Sequence, residues 1–259
     1  MNKLTFIIPA HKYIEDIESA IMSVNIQAKE KETYIYPTVV GPMDVVDKIK
    51  SKNFLRCIVP EDYDTSYASM VNFAILELLE TDKDAEWISI LEYDDELLPG
   101  FVETFDRYSK VHTADIYSLM SLNLKSGDNN VLLGSNNEVA WAGGMAEKQG
   151  WYDYNLAIRG HFSFINSMVI NIKCFKEFGY FKPSMAMYDD YEWFLRMIYN
   201  DAKVFAIPQI RHYHYVRDDS KSMHIANNIS QTEREFWLST ARKEYFFDED
   251  REIAFEDED

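Results

Sequence analysis

The stretch Trp87-Ile88-Ser89-Ile90-Leu91 constrains the fold more than any other. It is almost wholly apolar and runs straight into Glu92, Asp94, Asp95 and Glu96. Side chains alternate across a strand, so a strand apolar at nearly every position must be covered on both faces. Carboxylates crowded at the end of such a strand repel one another unless something neutralises them. Either they form a solvated acidic turn, or a divalent cation sits among them, because hard ions such as Mg²⁺ and Mn²⁺ prefer carboxylate oxygen. Pro99 then suits the first turn of a helix, whose apolar face is Phe101, Val102, Phe105 and Tyr108.

The preceding chain repeats strand and helix. Lys3–Pro9 reads as a first strand, and Ala10-His11-Lys12 as a turn. Ile14, Ile17, Ile21 and Val24 follow at helical spacing, with Glu15, Asp16 and Glu18 near the start. Thr33–Val40 is a second strand broken by Gly41-Pro42, and Val45–Ile49 a short helix. Leu55–Val59 is a third strand stopped by Pro60, Glu61–Ser66 a polar loop, and Tyr67–Glu80 a helix with Met70, Ala74 and Leu78 on one face. This alternation implies an α/β fold with a mainly parallel central sheet, right-handed crossovers and flanking helices. Ligands of such sheets lie at the strands' C-terminal ends, where the acids and His11 fall. The first turn is not Gly-rich, which argues against a P-loop and against a dinucleotide-binding oxidoreductase.

The second half is less regular. Ile116–Leu124 reads as a strand, Ser126–Asn130 as a turn, and Val131–Leu133 as the return. Gly143-Gly144 and Gly150–Tyr154 suggest loops, and Ser163–Ile172 a further strand. Lys173–Phe178 is a short helix closed by Gly179, and Tyr188–Arg196 opens a longer one. Lys203–Ile207 is a strand ended by Pro208; Ile210–Val216 then alternates, so that His212 and His214 share a face. With no linker or repeat, residues 1–247 read as one domain: a first half of about 1–112, a second half of about 113–222 and a C-terminal helix of about 223–247.

The net charge is −18, which disfavours a broad nucleic-acid surface. About −7 of it falls in the tail 248–259, which reads as a disordered solvated end, leaving about −11 for the rest. No apolar run reaches the ~20 residues of a membrane span, and the expectation is a cytoplasmic protein. The two cysteines, Cys57 and Cys174, suggest neither a disulfide framework nor a metal site.

Three groups stand out: Glu92/Asp94/Asp95, Asp189/Asp190/Glu192 and His212/His214. The first suits a metal, and imidazole can complete the coordination. The second opens a helix, where the dipole favours ionised carboxylates that can act as a general base; simple N-terminal charge is the alternative. For the histidines the alternative is an ordinary half-buried strand.

Four segments together resemble the GT-A fold glycosyltransferases, and are similar to the large inverting family 2. Leu4–His11 resembles the family's opening strand, Leu91–Phe101 its acidic DxD motif, Phe175–Phe181 with Tyr188–Arg196 its catalytic-base block, and His214–Ser222 its closing stretch. The resemblance implies a GT-A (nucleotide-diphospho-sugar transferase) fold. It also implies a metal-dependent inverting glycosyltransferase that moves a sugar from a nucleoside-diphosphate donor to an acceptor hydroxyl.

Under it, Asp190 is the catalytic base. Asp94, with Glu92 and Asp95, binds Mn²⁺ or Mg²⁺ across the diphosphate, with His212 or His214 as a further ligand. Pro9, His11, Asp64, Ser66 and Asp95 lie near the donor, and Arg217 and Ser220 close over the phosphates. Glu92 departs from the motif's first Asp. Val40-Gly-Pro-Met-Asp replaces the usual base-reading acidic pair, and Val71 precedes Asn72 where the family has Arg. Trp141, Trp151, Tyr152 and Tyr154 read either as a stacking surface for a sugar acceptor or as core packing. The rival readings are a transferase that modifies hydroxylated DNA bases and a non-catalytic sugar-nucleotide or partner-binding protein on the same fold.

Overall fold

The computed structural model describes residues 3–31, 37–50, 55–60, 66–127, 130–159, 165–217 and 228–245. Asp64, Ser220, the start of the expected second strand and the acidic tail lie outside the described residues.

The strands are β1 (Leu4–Pro9), β2 (Pro37–Val40), β3 (Arg56–Ile58), β4 (Trp87–Ile90), β5 (Glu96–Leu97), β6 (Ile116–Lys125), β7 (Val131–Asn136), β8 (Trp151–Tyr152), β9 (Met168–Asn171) and β10 (Val204–Val216). The helices are α1 (Asp16–Lys31), α2 (Met43–Ile49), α3 (Tyr67–Thr81), α4 (Phe101–Ser109), α5 (Tyr154–Ile158), α6 (Lys173–Phe178), α7 (Asp189–Tyr199) and α8 (Gln231–Arg242).

One sheet runs β3-β2-β1-β4-β9-β6-β10-β5, with β7 on β6 and β8 on β10. The β3-β2-β1-β4 part is parallel, as the alternating first half predicts. β9 runs antiparallel between β4 and β6, while β6 and β10 are parallel to each other.

The apolar strands are covered on both faces. Phe6 and Ile8 of β1 pack with Ile17, Ile21 and Val24 of α1 and with Phe101 and Phe105 of α4. Ile7 of β1 and Ile88 and Ile90 of β4 pack on the other side with Val71, Ala74 and Ile75 of α3 and with residues of α7. The period of two places successive side chains in different layers.

The turns after β1 and β2 touch. The Ala10 N–H donates to the Val40 carbonyl at 2.9 Å. A Cβ at Gly41 would stand 2.3 Å from the Ala10 carbonyl oxygen, so glycine alone permits this approach.

The structure corrects several expected boundaries. Pro99 does not start the helix after the acids: β5 intervenes, and Gly100, at φ 78°, caps α4. The strand expected over 163–172 is only Met168–Asn171, preceded by a 3₁₀ turn over Ile165–Ser167. Gly150–Tyr154 is not a plain loop, because it contains β8 and the start of α5. Pro208 does not end its strand. β10 continues to Val216, and its register against β6 shifts between Ile207 and Ile210 and again before His212. A proline has no N–H for the ladder, so an irregularity at that point lets the strand continue.

Candidate active site

The acid loop leaves β4 and is held on two sides. From α1, Ser23 Oγ accepts the Leu97 N–H at 3.1 Å, and Gln27 Oε1 accepts the Phe101 N–H at 3.0 Å. Gln27 Nε2 donates to the Leu98 carbonyl at 3.0 Å. These buried polar side chains satisfy backbone that no strand partner reaches. From the other side, β5 pairs with β10, with His212 opposite Leu97.

This pairing brings the two histidines onto the acids. Asp95 is fully buried and accepts the Tyr215 N–H at 2.9 Å. His214 Nδ1 lies 3.1 Å, and His212 Nε2 3.2 Å, from Asp95 Oδ2. The His212 contact is ionic in distance but not aligned as a hydrogen bond. Burial pushes Asp95 up, but the close imidazoles of His212 and His214 outweigh it and bring it to about 2. Burial pulls His214 down, yet Asp95 first, then Glu92 and Asp94, lift it to about 9. Asp94 rises to about 7 through burial and the charges of Glu92 and Asp95. Glu92 is also raised, by burial and Asp95, against the pull of His214 and Asn166.

Among the described residues, Glu92, Asp95 and His214 form a group whose ligand atoms all lie within 4.8 Å of one another. Two carboxylates and an imidazole suit Mn²⁺ or a similar divalent ion. The raised Glu92 and Asp94 report uncompensated negative charge, which such an ion would relieve. The donor set therefore fits the expected metal. Glu92 and His214 belong to the group, whereas Asp94 stands beside it and His212 backs Asp95 from behind.

The second acid group reaches the same place. α7 begins with Asp189 and Asp190, after Tyr188 at φ 61°. A bulky residue in the left-handed region is uncommon and concentrates at functional sites. Asp190 Oδ1 accepts the Tyr191 N–H at 2.8 Å, at the positive end of the helix dipole. The segment between α6 and α7 is tied to Asn72 of α3, whose Nδ2 donates to the Phe181 carbonyl at 2.8 Å while its Oδ1 accepts the Phe181 N–H at 3.0 Å.

The convergence is recorded by Tyr67, the first residue of α3. Burial, then Glu92, Asp189, Asp190 and Asp95, push its hydroxyl well above the ordinary range. Its O–H donates to Asn166 Oδ1 at 3.5 Å. Neither Tyr67 nor Asn166 is legible in the sequence, since nothing local marks them and they are far apart in the chain.

Other expected residues have structural partners. Glu192 does not join the site: it is buried against Lys182 Nζ at 2.9 Å and Arg196 at 3.1 Å, and accepts from Tyr245 Oη. Ser66 caps α3 by accepting the Ser69 N–H at 3.2 Å. Arg217 pairs with Asp16 at the start of α1. Pro9 is buried; His11 is exposed, edge-on to Tyr93 with ring centroids 5.3 Å apart.

Trp141, Trp151 and Tyr152, read as a possible acceptor platform, pack at the opposite end of the β6–β10 strands. Trp141 and Trp151 surround Phe205, Trp141 Nε1 donates to the Ala206 carbonyl, and Tyr152 is buried. Phe205 pairs with Tyr117 and His212 with Ser121, which separates the two places by about 13 Å of strand.

No protein-family model matches the sequence, and neither does any curated protein. Solved structures do match. A structure of residues 1–349 of S. aureus TarS superposes with a TM-score of 0.62 at 11% identity, covering 94% of this chain and 72% of that one. A longer TarS structure gives 0.62 at 12%, with 94% and 43% covered. The 1–349 complex with UDP-GlcNAc gives 0.60 at 12%, with 94% and 73% covered. TarS is a GT-A glycosyltransferase. This chain has the GT-A fold. At such low identity the likeness establishes the fold, and the site's chemistry rests on its own residues.

Proposed function

We propose that the protein is a metal-dependent inverting glycosyltransferase that moves a sugar from a nucleoside-diphosphate donor to an acceptor hydroxyl. One observation carries this reading: the acids after β4 and the acids opening α7 both act on one hydroxyl, that of Tyr67, while the His pair of β10 contacts Asp95 of the first group. TarS, similar in fold, has been solved with UDP and with UDP-GlcNAc, which supports a sugar nucleotide as donor.

Glu92, Asp95 and His214 would hold Mn²⁺ or Mg²⁺, which when bound supplies Lewis-acid stabilisation of the leaving diphosphate. Asp94 sits next to that charge, and Asp95 is oriented by His212 and the Tyr215 N–H. Asp190 takes the proton of the acceptor hydroxyl as its oxygen bonds to the anomeric carbon. The bond from that carbon to the diphosphate oxygen breaks, and its electron pair leaves with the diphosphate. A single displacement of this kind inverts the anomeric centre. Pro9, His11 and Ser66, at or beside the strand ends, line the donor side; Arg217 lies at the end of β10.

Replacing Asp190 separates binding from chemistry. Asp190→Asn should retain sugar-nucleotide affinity in calorimetry and lose roughly 10²–10⁴-fold in turnover, the usual contribution of a general base. Turnover equal to wild type would remove Asp190 from this role.

A further inference from the structure

Asn166 carries a buried donor that the protein satisfies only weakly, through Glu92. The residue is 1% exposed, and its Nδ2 makes no well-formed hydrogen bond to any described residue. The Tyr67 O–H donates to Asn166 Oδ1, which fixes the amide with its oxygen toward Tyr67 and its nitrogen turned away. Asn166 favours the ionised form of Glu92 as a weak donor to it. A buried, weakly satisfied N–H thus lies beside that carboxylate, next to the Tyr67 hydroxyl on which both acid groups act.

The chemistry of that pair selects a ligand group. A sugar hydroxyl both accepts and donates, so it can take the amide proton and give its own to the carboxylate. A phosphate oxygen only accepts, and it would meet Glu92, Asp95, Asp189 and Asp190 as like charges.

We propose that Asn166 Nδ2 donates to a hydroxyl oxygen of the transferred sugar, and that Tyr67 is the positioning residue that turns the amide toward it. This rests on the transferase reading and adds a determinant of sugar recognition to it. Because the contact is to the sugar, it contributes nothing to binding of the bare nucleotide.

Calorimetry with Mn²⁺ tests this, using UDP, GDP and ADP and their hexose conjugates on wild type, Asn166→Ala and Tyr67→Phe. For whichever nucleotide binds, Asn166→Ala should weaken the hexose conjugate about tenfold and leave the free diphosphate within about twofold. Tyr67→Phe should show the same split at about threefold, with KM for the donor raised more than kcat is lowered. Equal loss of both ligands, or no loss of either, overturns the inference. If Asn166→Ala fails to fold, the split or its absence in Tyr67→Phe decides. If wild type binds none of these ligands, the transferase reading falls first and this inference with it.

Discussion

Asp95 and His214 form a buried charge pair whose stability depends on pH. His214 is raised from 6.5 to about 9, so its contribution is complete below pH 6.5 and lost as pH rises through 9. Asp94 is raised from 3.8 to about 7, so the cost of ionising it in the folded state accrues from pH 4 to 7. Asp95 is lowered from 3.8 to about 2, and its contribution is lost as pH falls through that range. Without divalent ions, Tm should therefore fall between pH 6 and 9. Mn²⁺ should raise Tm more at pH 8 than at pH 5.5, because binding needs ionised carboxylates and a neutral imidazole. Scanning calorimetry with and without Mn²⁺ checks both expectations. Glu92→Gln should weaken Mn²⁺ binding by at least about tenfold, read by titration calorimetry. The acids and histidines were legible because a fully apolar strand and a period of two announce them. Tyr67, Asn166 and the left-handed Tyr188 were not, because their roles arise only from tertiary neighbours.

Helix α1 acts on the site through side chains that face inward. Gln27 pairs with both the Leu98 carbonyl and the Phe101 N–H, which also meet each other at 3.3 Å. Gln27→Leu should cost about 1–3 kcal/mol, since two buried hydrogen bonds are lost while that longer one remains. Urea unfolding measures this, and metal affinity should drop as the loop loosens. The first turn of α7 is also held by Glu192, between Lys182, Arg196 and Tyr245. Lys182 keeps Glu244, and Arg196 keeps the Phe178 and Tyr180 carbonyls, so Glu192→Ala should destabilise by about 1–3 kcal/mol in the same assay. The sequence placed Glu192 with Asp189 and Asp190 because all three fall in one acidic turn. A helix turn points them in different directions, and only a structure says which direction meets which partner. Strand β10 was read as two pieces for a similar reason: Pro208 interrupts the hydrogen-bonding pattern without ending the strand.

Over the whole chain, alternation of strand and helix was enough to predict a parallel layer, which is β3-β2-β1-β4. It was not enough to place β9 between β4 and β6, because insertion of an antiparallel strand depends on long-range pairing. No helix among the described residues is long and apolar enough to cross a membrane. The net charge of −18 bears on the acceptor. An acidic molecule should bind duplex DNA no better than a neutral control at physiological salt, and fluorescence anisotropy with hydroxymethylated DNA measures it. Saturable binding there would favour the DNA-modifying reading.

The touching turns at Ala10 and Gly41 also set a limit on variation. Even the smallest added side chain at position 41 must force the Ala10 carbonyl out of its place, and that carbonyl belongs to the turn leading to His11. A saturation library at this codon, sorted for soluble expression, should therefore return glycine almost alone. Tolerance would show that the two turns can part while the fold survives.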